Sequence, residues 1–113
     1  MARTSRVLAR IGVAAAIVAS PVALAGPATA ATDAVWNAVA ECESGRDWDT
    51  DTGNGYYGGL QFSDQTWDSF GGEEYGSTAD QATRGQQIEI AERVLAEQGW
   101  DAWPTCSEVA GVA

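Results

Sequence analysis

The sequence predicts a small α+β domain, mainly helical, with a short β-hairpin and one closing disulfide. Three observations carry this. Two segments, one after Asp33 and one after Thr83, repeat apolar residues at helical spacing between a capping residue and a glycine. Between them runs a stretch rich in Gly and Asn whose Tyr56–Phe62 portion suits a tight hairpin. The only two cysteines, Cys42 and Cys106, stand near the two ends of the patterned region.

In chain order, Asp33 is the expected cap of a first helix with Val35, Trp36, Val39 and Ala40 on its apolar face, stopped at Gly45. Residues 46–59 are dense in Asp, Thr, Gly and Asn and read as loop. Residues 56–62 supply a strand or hairpin arm, with Gly58-Gly59 allowing close backbone approach. Ser63 caps a brief helix from Asp64 to Phe70 that stops at Gly71-Gly72, and a second polar loop surrounds Tyr75–Ser77. Thr83-Arg84-Gly85-Gln86 has capping-box form and opens a helix with Ile88, Ala91, Val94 and Leu95 as its stripe, ended by Gly99. Trp103-Pro104 then leads an extended segment toward Cys106.

The first thirty residues differ in kind. Arg3, Arg6 and Arg10 precede an apolar run, Ile11 to Ala25, broken by Pro21, and Ala28-Thr29-Ala30 follows. This is the pattern of a cleaved secretory signal, and the run is short for a membrane span of about 20 residues. The expected organisation is a signal at 1–30, one domain at 31–107 and a short tail at 108–113. Export places Cys42 and Cys106 where a disulfide persists, and a domain this small needs such a staple. Bridging cysteines 64 positions apart is worth about 4 kcal/mol in the loop-entropy model.

The chain carries 6 Lys+Arg, 16 Asp+Glu and no His, a formal charge of −10. Removing the leader takes three arginines and no acid, so the mature charge is −13. Without histidine there is no His-dependent triad, imidazole metal site or His general base. Acidity and the lack of lysine argue against nucleic acid as a partner. Asp47, Asp49 and Asp51 alternate as in a calcium loop, but Thr52 stands where that loop needs Gly and Gly58 where it needs Glu. No metal and no cofactor are expected, and no stable membrane insertion.

Proton chemistry is thereby left to carboxylates, hydroxyls and phenols. Glu43 draws attention because it follows Cys42 at the end of an apolar helix, near Trp36 and Trp48, where partial burial raises a carboxyl pKa. The plain alternative is a solvated or capping group. Aromatic rings stack on sugar faces while amides such as Gln61 and Asn54 pair with hydroxyl and acetamido groups. Tyr56, Trp48 and Trp67 are candidate stacking residues, although a small domain also needs its tryptophans as core.

An ordered set of motifs adds a resemblance. Trp36, Cys42-Glu43-Ser44-Gly45, Trp48, the run Thr52 to Phe62, Thr66-Trp67, Gly71-Gly72, Ala82-Thr83-Arg84, Gln87-Ile88, Ala91 to Leu95 and Ala102-Trp103-Pro104-x-Cys106 together resemble the resuscitation-promoting factor domain of secreted actinobacterial proteins. The resemblance spans essentially all of the chain after the leader. It implies a lysozyme-like, transglycosylase-like fold and cleavage of the β-1,4 bond between N-acetylmuramic acid and N-acetylglucosamine in peptidoglycan glycan strands. It places the family's single catalytic glutamate on Glu43, a cleft-lining threonine on Thr66, and a sugar-site segment on Gly59-Leu60-Gln61. It supplies no second carboxylate, for which Asp47, Asp49 and Asp64 are the candidates here. Many family members carry Gly and Asn where Arg46 and Asp47 stand, so this chain adds two charges beside the cleft. No lysin-motif repeat follows the domain, so a minimal, freely secreted monomer is expected, outside the cell or in its wall, with a peptidoglycan endopeptidase as a further partner. The alternative is a non-catalytic secreted growth factor that binds wall fragments or a partner hydrolase.

Overall fold

The computed structural model describes residues 31–113. The expected signal at 1–30 lies outside the described residues. The elements are α1 (Asp33–Ser44), a two-stranded antiparallel hairpin of β1 (Tyr56–Tyr57) and β2 (Phe62–Ser63), α2 (Asp64–Ser69), α3 (Arg84–Gln98) and α4 (Pro104–Val109). The α+β class, the hairpin and the Cys42–Cys106 disulfide are as the sequence predicts, with Cα atoms 5.5 Å apart across the bridge.

Local signals account for most boundaries. Gly45 ends α1 in the left-handed conformation (φ 70°), and its N–H reaches back to the carbonyls of Ala40 and Glu41. The Ser63 hydroxyl accepts from Thr66 N to open α2. Thr83 and Gln86 form the reciprocal capping box of α3. Tyr56 pairs with Ser63 and Tyr57 with Phe62, leaving Gly58–Gln61 as the connecting turn.

Three expectations are corrected. The cap of α1 is Thr32, whose hydroxyl accepts from Val35 N, and Asp33 is the first helical residue. Both types cap well, and an acid at the first turn also favours the helix dipole. The stripe of α3 is displaced: Ile90 and Gln87 are fully buried beside Ala91, Val94 and Leu95, while Ile88 is only partly covered. The segment after Trp103 is helical, not extended. Trp103 itself has the open backbone expected before proline (φ −127°, ψ 68°), but Pro104 then occupies the first helical position, where its missing N–H costs nothing. The helix α4 continues past Ser107 to Val109.

The core is built on tryptophan. Trp36 meets Trp100 and Trp103 with ring centroids 5.1 Å away in each case, and Phe62 packs 5.2 Å from Trp67. Each buried indole N–H finds an acceptor, as buried polar groups require. Trp36 Nε1 donates to Glu92 at 2.7 Å, Trp67 Nε1 to the Gly76 carbonyl at 2.9 Å and Trp103 Nε1 to the Leu60 carbonyl at 3.1 Å. The same Glu92 oxygen accepts from Ala31 N, which fastens the start of α1 to α3.

Candidate active site

The site is organised by the turn between β1 and β2. Gln61 adopts the left-handed conformation (φ 59°), uncommon for a side chain of its size. Its backbone N–H donates to the Gly58 carbonyl at 3.2 Å and its side-chain amide to the same oxygen at 3.1 Å. Asn54 Nδ2 donates to Gln61 Oε1, and Asn54 Oδ1 accepts from Tyr56 N, so Asn54 braces both the turn and its amide.

Beside this turn lies a cavity of about 110 Å³. Tyr56, Gln61 and Thr66 line it, as do Ser63, Gln98 and the apolar Val94 and Trp103. Pockets that enclose a whole ligand run to roughly 300–1,000 Å³, so this one takes a substituent rather than a sugar ring. Hydroxyls and amides over an apolar floor suit a neutral group that both donates and accepts, such as an acetamide. The Tyr56 ring stands at the rim, half exposed and free to stack.

Glu43 does not line that cavity. It sits on the last turn of α1, between two anchors. Cys42 is bonded to Cys106 in α4, and Ser44 Oγ donates to the Gly59 carbonyl at 2.9 Å. The Gly58–Gly59 backbone thus joins the glutamate side, through Ser44, to the cavity side, through Gln61. The Glu43 carboxyl is partly buried, and this burial pushes its pKa above the ordinary 4.5. Among the described residues no hydrogen bond or ion pair engages it. A carboxyl biased toward its protonated form, with no partner among the described residues, is suited to proton donation.

Two of the predicted stacking residues are placed elsewhere. Trp67 is 0% exposed, inside the core against Phe62, and offers no face to a ligand. Its burial follows from the capped α2 helix, which turns that side inward beneath Gly72, where a Cβ would strike its ring. The Trp48 ring is packed against Gly59 and lies 5.3 Å from the Arg84 guanidinium carbon, a cation–π contact. Its role here is to wedge the 46–59 loop onto α3. Asp47 Oδ1 accepts from Asp49 N in a local turn. Asp64 opens α2, where its charge pushes the Tyr57 phenol pKa up.

Sequence reasoning missed Gln98 in the cavity wall and the buried Gln87. Gln98 is an ordinary helix-end amide by sequence, and only the packing of α3 against the Trp103 segment brings it to the cavity.

A family model described as a transglycosylase-like domain matches residues 30–106. Among curated proteins, the chain is 56% identical over 89 residues to resuscitation-promoting factor Rpf1 of Corynebacterium glutamicum, covering 79% of this chain and 46% of that protein. It is 56% identical over 85 residues to resuscitation-promoting factor RpfA of Mycobacterium tuberculosis, covering 75% of this chain and 21% of that one. Against resuscitation-promoting factor RpfC of Mycobacterium tuberculosis it is 49% identical over 113 residues, 99% of this chain and 79% of the relative. The chain therefore spans less than half the length of the first two.

Proposed function

The chain belongs to the transglycosylase-like domain family of the resuscitation-promoting factors, and on that premise we propose that it is an exported enzyme that cleaves peptidoglycan glycan strands. The bond is the β-1,4 linkage between N-acetylmuramic acid and N-acetylglucosamine. Glu43 is the general acid. The observation that carries this is its half-buried carboxyl, unengaged among the described residues, with a pKa raised by burial, on a helix end tethered by Ser44 to the turn that shapes the cavity.

Protonated Glu43 donates to the glycosidic oxygen as positive charge builds on the muramic acid ring, and the bond to the departing sugar breaks. Ionised Glu43 then accepts a proton, either from the muramic acid 6-hydroxyl, whose oxygen closes on C1 to give a 1,6-anhydro end, or from a water that adds at C1. Both routes return the glutamate to its protonated form. Thr66, Gln61 and Tyr56 hold the strand, with an acetamido group in the cavity, and Asn54 acts through Gln61.

Residues 1–30 direct export and are removed after Ala30 in this reading, which suits a disulfide-closed domain. Among the described residues no helix is long and apolar enough to cross a membrane. The protein works as a monomer at the wall, with an endopeptidase that cuts peptide stems acting on the same polymer. Regrowth of dormant cells follows from wall cleavage.

A second reading, a non-catalytic factor that binds wall fragments, draws on the modest cavity and on Glu43 lying outside it. The Glu43→Ala variant separates the two. The enzyme reading expects that it releases no muropeptides and fails to wake dormant cells. Release and waking at wild-type levels would overturn it.

A further inference from the structure

Gln87 is an amide where the helical stripe calls for a hydrocarbon. It lies in the first turn of α3, is fully buried, and makes three hydrogen bonds to backbone groups of three different segments. Its Oε1 accepts from Gly59 N at 3.0 Å, and its Nε2 donates to the Trp48 carbonyl at 2.8 Å and the Ala82 carbonyl at 3.1 Å. One N–H facing the oxygen and two carbonyls facing the nitrogen fix the amide orientation, since the flipped form would oppose like groups at all three.

The Gly58–Gly59 backbone that Gln87 grips is the one that connects the two halves of the site. Gly59 carbonyl takes the Ser44 hydroxyl beside Glu43, and Gly58 carbonyl takes both N–H groups of Gln61 at the cavity. A Cβ at Gly58 would run into Gln87 Oε1, so glycine at that position and glutamine beneath it are one arrangement. The Trp48 carbonyl brings in the loop that follows Glu43.

We propose that Gln87 is a positioning residue: from beneath, it sets the spacing between the Glu43 carboxyl and the Tyr56–Gln61–Thr66 cavity. It touches no substrate. This rests on Glu43 being the acid, because only then does that spacing govern rate. Shifting a catalytic group by about 1 Å can cost 10²-fold in rate. Loss of the Gly59 tether therefore acts on the chemical step, while the cavity's own side chains still hold the glycan.

The test uses the exported protein and a soluble glycan oligomer of alternating N-acetylglucosamine and N-acetylmuramic acid. Gln87→Met keeps the shape and deletes all three bonds. Its expected kcat is lower by about 10²-fold with a much smaller change in KM. Gln87→Glu keeps the acceptor for Gly59, and its carboxylate loses the donors. When protonated it donates again to the Trp48 carbonyl, so its rate relative to wild type is expected to rise as pH falls. A Gln87→Met protein that folds and cuts at the wild-type rate overturns the proposal. If that variant does not fold, a Gln87→Glu profile parallel to wild type overturns it. If wild type itself cuts nothing, the enzyme reading has failed, and Gln87 is judged on amide exchange alone. Faster Gly59 exchange and shifted Gln61 side-chain resonances in the variants then support its grip, and unchanged ones refute it.

Discussion

The helical base and the hairpin rim are held by different forces. The base, α1, α3 and α4, is a tryptophan cluster locked by Cys42–Cys106 and by Glu92, which accepts from both Trp36 and Ala31. The rim, residues 46–63, is acidic and glycine-rich, and its order comes from side chains that bond to backbone: Ser44, Asn54, Gln61 and Gln87. Burial stabilises the base in proportion to area, without direction. Leu60 and Phe62 root the rim in the core, and directional bonds hold the exposed remainder, fixing positions as well as contributing energy. Apolar packing thus supports the fold, while the polar tethers set the geometry of the site.

Substitutions break the two regions differently. Trp36→Ala should cost about 5 kcal/mol, the upper end for a buried tryptophan, because it empties the cluster and also removes one of the two donors to Glu92. Denaturant unfolding measures it. Replacing both Cys42 and Cys106 by Ser should cost about 4 kcal/mol, seen as a lower melting temperature, with the rim's hydrogen bonds intact. Thr83→Ala removes the cap of α3 and should cost about 1 kcal/mol. None of these should change the rate of the folded protein as much as a rim variant does.

The smallest stability effect has the opposite sign. Burial raises the Glu43 pKa in the folded state above its unfolded value, so the fold favours the neutral form. Its contribution is complete below the unfolded carboxyl range and is lost as pH rises through the raised folded value. Glu43→Gln stays neutral at every pH. It should therefore match wild type in thermal stability under acid conditions and exceed it slightly at neutral pH, a modest gain because the carboxyl is half in solvent. For the same reason wild-type cleavage should decline with rising pH, from a midpoint above 4.5.

Elements with a local signal were legible in the sequence. Ser63, the Thr83–Gln86 box, Gly45 and Gly99 act through neighbours within one turn, and all four mark helix ends in the structure. The disulfide was legible because only one pairing exists. The helix α4 was not, because Pro104 reads equally as an interruption or as a first helical residue, and only Trp103 packing against Leu60 and Trp36 decides. Which aromatics face a ligand was equally hidden. Trp67 and Tyr56 flank the same hairpin and helix, one wholly buried and the other half exposed, and the difference is tertiary. The role of Gln87 was hidden as well, because its three partners lie 5 to 39 positions away.

Whether Glu43 drives glycosidic cleavage is read from the ends of the products. Purified peptidoglycan is treated with the wild-type protein or with Glu43→Gln, and the soluble fraction is weighed by mass spectrometry. Wild type is expected to release muropeptides ending in muramic acid, as the 1,6-anhydro or the reducing form, and the variant none. Equal release by both proteins, or release by neither, would contradict it.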